Sequence, residues 1–221
     1  MSFSRIEKIH FVLNPNAGNG SPLKIFPEIE EELISKNVKY TVFKSQGKND
    51  IFNHVISDEI PECDVICAMG GDGTIHETAD GLMQSGKASD LAFSVIPSGT
   101  GNAFAQTLGE LKPKKAIQKI LQGERQEIDA MEIRQGSKVS YAVNIIGWGM
   151  ASRVNQISDQ LRILGGIRYN IASLIGIATM KKKNLVLRMN DEVIKEDALF
   201  FLALNTVYTG KGMKMAPDAD F

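Results

Sequence analysis

Asp72 has surroundings that suit phosphate chemistry. It lies between Gly71 and Gly73 in the stretch Gly70–Thr74, so no neighbouring side chain shields its carboxylate. Glycines allow backbone N–H groups to approach a phosphate closely, and an acid beside that phosphate could accept a proton from an attacking hydroxyl or hold Mg²⁺. The alternative is a turn aspartate that hydrogen-bonds its own backbone. We take Asp72 as a candidate general base.

Two further glycine-rich turns, Asn14–Gly20 and Pro97–Asn102, have a similar composition. One such turn could be only a tight connection, but all three follow predicted strands. In a parallel sheet such turns emerge at the carboxyl edge, where ligands of these folds bind, and a following helix adds its positive amino end. The candidate phosphate-binding residues of the three turns are Asn14, Pro15, Asn16, Gly18, Gly20, Gly70, Gly71, Gly73, Thr74, Gly99, Thr100, Gly101 and Asn102.

Glu77 lies one helical turn after Thr74 and could fix the second glycine turn. An acid near the start of a helix is also stabilised by the helix dipole, with no role in binding. Both interpretations stay open from the residues, and we include Glu77 among the cofactor-binding candidates.

Two better-known phosphate motifs are absent from the sequence. Gly81–Lys87 has the spacing of a P-loop, but Ala88 stands where a magnesium-binding Ser or Thr is required. This stretch is predicted to end a helix and not to begin one. Gly99 and Gly101 lack the third glycine of the dinucleotide fingerprint, because Phe104 occupies its position.

The elements that position these turns alternate between strand and helix in the first half of the chain. Hydrophobic periodicity predicts strands at Lys8–Leu13, Lys39–Phe43, Val65–Met69 and Leu91–Ile96, and helices at Leu23–Lys36, Ile51–Ser57, Ile75–Gln84, Ala103–Leu108 and Lys114–Leu121. Such alternation is typical of an α/β fold with a parallel sheet and helices on both faces.

The second half is predicted to be rich in β-structure. Its predicted elements are hairpins of Glu127–Arg134 with Val139–Ile145 and of Asn184–Met189 with Val193–Asp197, a helical stretch 158–180, and a strand at Leu199–Asn205. We therefore predict a nucleotide-binding α/β domain at 1–124 and a β-rich, sandwich-like domain at 125–221. No closing element follows Leu199–Asn205, so we expect the second domain to be incomplete at its C-terminus.

The amino-acid composition and net charge exclude some classes of function for this chain. Hydrophobic residues make up 43% of the chain, and 25 Lys and Arg nearly balance 26 Asp and Glu, for a net charge of −1. This balance gives no electrostatic reason to expect nucleic-acid binding. The two cysteines, Cys63 and Cys67, suit a reducing compartment, and Cys67 is predicted to be buried in a strand. No apolar segment is long enough for a membrane span, so we expect a cytoplasmic protein that at most contacts a membrane surface.

The glycine turns resemble the diacylglycerol kinase catalytic-domain family, which includes sphingosine, ceramide and diacylglycerol kinases and bacterial lipid kinases. The resemblance rests on GGDGTIHE at 70–77, PSGTGNAFA at 97–105 and the opening Asn14-Pro15 turn. NIIGWG at 144–149 and LRILGGIRY at 161–169 are similar to the sphingosine and ceramide kinase branch. The family implies ATP and Mg²⁺ as cofactors and a lipid hydroxyl as phosphoryl acceptor.

The resemblance also assigns roles to individual residues. Ser45–Asn49 falls where the family has a nucleotide-binding loop, and Ser45 is its candidate contact. Arg162 and Arg168 match arginines that reach the nucleotide phosphates, although from the residues alone they could form a solvated helix face. Asp129 matches an aspartate that acts through water near Mg²⁺ in bacterial diacylglycerol kinases. Asn155 stands where sphingosine kinases have an Asp that holds the sphingoid head group, and a neutral amide offers no charge to an ammonium.

The sequence therefore predicts an ATP-dependent lipid kinase acting on a sphingoid base or a diacylglycerol-type lipid. Lys181–Lys183 could touch anionic head groups, or could be a solvated charge run. An NAD kinase, which shares the GGDGT element, and a non-catalytic nucleotide- or lipid-binding fragment are the alternatives. The oligomeric state does not follow from the sequence.

Overall fold

The computed structural model describes residues 5–57, 59–149, 182–210 and 212–219. The chain forms two compact units, which are described separately here. The first combines Met1–Asn144 with Leu204–Phe221, and the second is Ile145–Ala203. The predicted division between residues 124 and 125 stays a prediction.

A four-stranded parallel sheet forms the centre of the first unit. Its strands are β1 (Lys8–Leu13), β2 (Lys39–Lys44), β3 (Val65–Gly70) and β4 (Ala92–Pro97), in the spatial order β2-β1-β3-β4. The register pairs Phe11 with Val42 on one side and with Cys67 on the other. The two central strands are almost wholly buried because helices cover both faces of the sheet.

Five α-helices lie in the described part of this unit. They are α1 (Ser21–Ser35), α2 (Asp50–Ile56), α3 (Asp72–Gln84), α4 (Ala103–Thr107) and α5 (Pro113–Gln122). Pro113 is the first residue of α5, a position that its fixed φ favours.

Alternating side chains of the strands divide the core into two clusters. Ile9, Phe11 and Leu13 of β1 pack with residues of α1 and α5, whereas Val12 packs with residues of α2, α3 and α4. Cys67 is fully buried in the first cluster, as predicted, and this burial raises the pKa of its thiol. Because both faces of the sheet are well packed, the turns at its carboxyl edge extend from a firmly held set of strands.

An antiparallel hairpin of β5 (Met131–Gln135) and β6 (Lys138–Ala142) completes the described regular structure of the first unit. It packs against α3, where the buried carboxylate of Asp80 accepts the Tyr141 N–H at 2.7 Å. The hairpin is thus attached to the helix that begins at Asp72.

The second unit contains four described strands. β7 (Ile145–Gly149) pairs with β10 (Phe200–Leu204), and β8 (Lys183–Met189) pairs antiparallel with β9 (Glu192–Ala198). The predicted helical stretch 158–180 lies outside the described residues. No helix in the described parts of the chain is long and apolar enough to cross a membrane.

The predicted α/β fold with a β-rich second half is confirmed, with changes at element boundaries. The predicted strand Val139–Ile145 is interrupted, because β6 ends at Ala142 and β7 begins at Ile145. The predicted strand Glu127–Arg134 begins only at Met131. The interpretation of Gly81–Lys87 as a helix end is confirmed, since α3 ends at Gln84 and Gly86 has a φ of 72°.

Candidate active site

The three glycine turns lie together at the carboxyl edge of the sheet. They follow β1, β3 and β4, which are neighbours in the strand order. The first turn is bonded to the end of β3 through the Asn14 N–H and the Met69 carbonyl, at 3.1 Å. Gly18, with a φ of 51°, approaches the Ser98 carbonyl so closely that a Cβ there would overlap it. The first and third turns are therefore in direct contact.

The second and third turns approach each other even more closely. A Cβ on Gly99 would overlap the Cα of Gly71. The Ser98 N–H donates to the Gly70 carbonyl at 3.2 Å. Asn102 closes the third turn, because its Oδ1 accepts the Gly99 N–H and its Nδ2 donates to the Gly99 carbonyl, each at 2.9 Å.

Several backbone donors at this edge remain without an acceptor. Among the hydrogen bonds of the described residues, the amides of Gly71, Thr100 and Gly101 have no partner. Gly71 and Gly101 are half-buried, so their amides need an acceptor from some source, and phosphate oxygens are acceptors that glycine turns admit. The donor chemistry of these turns fits the phosphates of a nucleotide.

Asp72 connects two of the turns. It is the first residue of α3, and its Oδ1 accepts the Ala103 N–H at 2.9 Å. Since Ala103 begins α4, the carboxylate joins the second turn to the third. Burial raises the pKa of Asp72, while backbone donors around Ala103 and Phe104 oppose this effect. A half-buried carboxylate with a raised pKa is a stronger base than a solvated one.

Glu77 faces a different segment from the one predicted. Its Oε1 accepts the Asn49 N–H at 3.1 Å and its Oε2 accepts the Phe52 N–H at 3.5 Å. It therefore caps the amino end of α2, next to the predicted nucleotide loop. Ser45, at the start of that loop, is buried, and its N–H donates to the Leu13 carbonyl at 2.9 Å.

Thr74 is oriented into the protein interior. Its side chain is buried, and its Oγ1 has no hydrogen-bond partner among the described residues. Its N–H donates to the Gly71 carbonyl at 2.9 Å, so this amide is already used within the turn. A role for Thr74 toward a phosphate stays a prediction.

Asp129 lies in the irregular segment before β5 and is exposed. The described residues contain no group of three or more His, Cys, Asp or Glu side chains placed to share a metal ion. Mg²⁺ is nevertheless often held by one or two carboxylates together with substrate phosphates. The carboxylate of Asp72 at the glycine turns is an oxygen ligand of that kind, and the role of Asp129 near Mg²⁺ stays a prediction.

Arg162, Arg168 and Asn155 lie outside the described residues, so their predicted roles stay predictions. Lys181 also lies outside, while Lys182 and Lys183 are exposed. The Lys183 ammonium lies 5.7 Å from the centre of the Trp148 ring. This contact gives Lys183 an interaction within its own unit.

Sequence reasoning missed two kinds of contact. It did not identify the Asn102 bonds that close the third turn, because the side chain bonds back to Gly99 and does not cap the helix that follows. It did not identify Asn205, whose side chain bonds the backbone of Asp129. A contact between residues so distant in sequence has no local signal.

A parallel sheet with converging glycine turns, unpaired amides and a carboxylate at its carboxyl edge is typical of the class of α/β proteins that bind phosphate-containing ligands. Comparison with known proteins agrees with this class. Residues 8–133, more than half of the chain, match the diacylglycerol kinase catalytic domain. Residues 144–221 match the YegS C-terminal NAD kinase beta sandwich-like domain. The chain therefore belongs to the diacylglycerol kinase catalytic-domain family, a family of lipid kinases.

Individual relatives cover the chain to different extents. YtlR of Bacillus subtilis is 28% identical over an alignment that covers 95% of this chain and 72% of that protein. Sphingosine kinase 1 of Arabidopsis thaliana is 25% identical over 82% of this chain, which spans only 39% of that enzyme. The crystal structure of a diacylglycerol kinase from Bacillus anthracis superimposes with a TM-score of 0.72 at 21% identity, over 96% of this chain and 68% of that one. This last likeness supports the fold.

Proposed function

We propose that this chain is an ATP-dependent lipid kinase that transfers the γ-phosphoryl group to a lipid hydroxyl. The observation that carries the proposal is the position of Asp72, which joins two glycine turns in which the amides of Gly71, Thr100 and Gly101 have no acceptor among the described residues. Family membership supports the enzyme class. The names of the relatives support a lipid acceptor, either a sphingoid base or a diacylglycerol.

The glycine turns would bind the nucleotide phosphates. The amides of Gly71, Thr100 and Gly101 would donate to phosphate oxygens, and the amino end of α3 would add a favourable electrostatic field. The rigid contacts between the turns would keep these donors in place before the substrate arrives. Preorganised donors stabilise the charge of phosphoryl transfer without reorganisation in the transition state.

Asp72 would act as the general base. Its carboxylate would accept the proton of the lipid hydroxyl while that oxygen forms a bond to the γ-phosphorus. The bond between the γ-phosphorus and the bridging oxygen breaks, and ADP leaves with that oxygen. The Ala103 N–H holds Oδ1, which leaves Oδ2 as the oxygen for the proton. Mg²⁺, when bound, supplies charge neutralisation at the phosphates, and Asp129 would act near it.

The remaining predicted residues would complete the site. Arg162 and Arg168 would steady phosphate charge, and Asn155 would hydrogen-bond the acceptor head group, as the resemblance implies. The loop that starts at Ser45 would contact the nucleotide, with Glu77 fixing it through the amino end of α2. Contact of the protein with a membrane surface would bring it to its lipid.

Transfer of labelled phosphate from ATP to a panel of sphingosine, ceramide, diacylglycerol and NAD tests the proposal. Separation by thin-layer chromatography identifies the product. Label in a lipid that depends on Asp72 is the expected result. Label in NAD alone would indicate an NAD kinase. Binding of ATP without transfer to any acceptor would indicate a non-catalytic nucleotide-binding protein.

A further inference from the structure

Asn205 joins three segments that are far apart in the sequence. Its Nδ2 donates to the Asp129 carbonyl at 2.7 Å and to the Val143 carbonyl at 3.2 Å. Its own N–H donates to the Asn144 carbonyl at 2.9 Å. Both hydrogens of the amide group and the backbone donor are therefore used, and all of these partners belong to the first unit.

The next residue strengthens the same junction. Thr206 is fully buried, and its Oγ1 donates to the Asn144 Oδ1. The chain leaves the first unit after Asn144 and returns to it at Leu204. The side chains of Asn205 and Thr206 thus bond the returning segment to the departing one.

The segment that carries Asp129 has few other restraints. Residues 124–130 contain no helix or strand. Ile128 and Ala130 are partly buried against the core cluster that includes Phe104 and Val143. Apolar packing holds these two neighbours, whereas the hydrogen bond from Asn205 fixes the backbone of Asp129 itself.

We infer that Asn205 is a positioning residue for Asp129. This rests on the proposed function, in which Asp129 acts near Mg²⁺. The amide of Asn205 has two N–H donors, one for each of the Asp129 and Val143 carbonyls. A carboxylate of the same shape would place an acceptor oxygen against the Asp129 and Val143 carbonyls. The Asp129 segment would then move away, because acceptors that face each other repel.

Asn205→Asp tests the inference, since it keeps the shape and removes the donor. Gln84→Glu is the matched control. Gln84 is also an amide in the first unit, and its Nε2 donates to the Val139 carbonyl at 3.1 Å and to Asp80 at 2.9 Å. The control therefore makes the same amide-to-carboxylate change at a backbone contact that does not involve Asp129.

Two measurements are made on the full chain. Hydrogen exchange of the peptide that spans 125–131 reports how well the segment that carries Asp129 is held in place and needs no turnover. The Mg²⁺ concentration for half-maximal velocity, at saturating ATP and lipid, reports its consequence. We expect faster exchange and about a tenfold higher Mg²⁺ requirement for Asn205→Asp, the range that outer-shell partners of metal ligands show. For Gln84→Glu we expect the Mg²⁺ requirement of the wild type.

The outcomes separate the inference from the proposed function. Unchanged exchange at 125–131 in Asn205→Asp overturns the inference whether or not the chain transfers phosphate. A raised Mg²⁺ requirement in Asp129→Asn but not in Asn205→Asp also overturns it and leaves the role of Asp129 intact. An unchanged requirement in Asp129→Asn overturns both that role and the inference that depends on it.

Discussion

Two aspartates at opposite ends of β3 show what distinguishes the two edges of the sheet. Asp64 precedes the strand, and its Oδ2 accepts the N–H groups of Glu7 and Lys8, each at 2.8 Å. Asp72 follows the strand and accepts the Ala103 N–H at 2.9 Å. Both carboxylates bind backbone amides from another segment, so this kind of contact alone does not identify a site.

The surroundings of the two residues differ. At the amino edge, Lys8 forms an ion pair with Glu62 at 2.7 Å, and this contact raises the pKa of the Lys8 ammonium. At the carboxyl edge, Asp72 lies among glycine turns in which some amides, such as those of Gly71 and Gly101, have no acceptor among the described residues. The amino edge satisfies its own charges, whereas the carboxyl edge keeps donors available for a ligand. The same residue type is structural at one edge and a candidate for catalysis at the other.

The largest difference in turnover is expected between Asp72→Asn at the carboxyl edge and Asp64→Asn at the amino edge. Loss of a general base typically lowers turnover by about 10²–10⁴-fold. We expect this loss for Asp72→Asn with ATP affinity nearly unchanged. Asp64→Asn should lower the melting temperature and leave turnover close to that of the wild type, as measured by phosphate transfer below both melting temperatures.

Two results would contradict this assignment. Asp72→Asn could retain more than a tenth of wild-type turnover, in which case the carboxylate is not the base. Asp64→Asn could lose turnover to the same extent while still folded, in which case the two edges do not differ in the way described.

Gly99→Ala should disrupt the carboxyl edge without removing any charge. The added methyl group would overlap the Cα of Gly71, which is backbone and can only be accommodated if the turns separate. Misplaced amides should weaken ATP binding by about tenfold, equivalent to about 1.4 kcal/mol. Lys8→Ala, which removes the ion pair of the amino edge, serves as control. Isothermal titration calorimetry measures the ATP affinity of both variants. Equal affinities would show that the contact between the turns does not determine ATP binding.

Glu77→Gln should have a smaller effect, limited to the nucleotide loop. Glutamine has one acceptor oxygen in place of two, so it can satisfy only one of the Asn49 and Phe52 amides. Loss of one such bond, about 0.5–1.5 kcal/mol, should raise the KM for ATP by about 2- to 10-fold and leave kcat nearly unchanged. Glu59→Gln, at an exposed position after α2, is the control. A fall in kcat with unchanged KM would place Glu77 in the chemical step.

The smallest expected effect is a change of stability with pH, and it arises in the interior of the sheet, away from both edges. The Nε2 atoms of His10 and His54 lie 2.9 Å apart, and His10 is also bonded to the Thr41 hydroxyl. Burial, with a further contribution from His54, lowers the pKa of His10 to about 4 from a usual value of 6.5. The unfolded chain therefore binds more protons than the folded one between these values, and stability falls as pH decreases through this range.

The melting temperature should accordingly decrease by about 2–4 °C between pH 7 and pH 5, the shift that about 1 kcal/mol produces in a protein of this size. His10→Asn should reduce this pH dependence, whereas His76→Asn, at an exposed position, should keep it. The same pH dependence in His10→Asn as in the wild type would show that another group titrates.

Much of the sheet could be predicted because its signals are local. The strands β1 and β3 are short apolar runs that end at glycine- or asparagine-rich turns, and Pro113 marks the start of α5. The start of α3 was predicted three residues late, at Ile75. Glycine is a poor helix former, but Gly71 is in an extended conformation and lets the helix begin at Asp72.

The partners of the site residues could not be predicted in the same way. The spacing of Glu77 after Thr74 indicated the second glycine turn, yet its carboxylate contacts Asn49 and Phe52 on another helix. Asn205 contacts Asp129 across a sequence separation of 76 residues. Such contacts depend on how the helices and returning segments pack, which no local pattern encodes.

Hydrogen exchange of the wild-type chain with and without saturating MgATP tests the central claim most directly, because it compares both edges in one experiment. We expect slower exchange in the three turns at 14–20, 70–74 and 97–102, where phosphate oxygens would accept hydrogen bonds from backbone amides. Exchange at the amino edge, in residues 7–8 and 62–64, should stay unchanged. Protection of the amino edge, or no protection of the turns at saturating nucleotide, would contradict the assignment of the carboxyl edge as the nucleotide site.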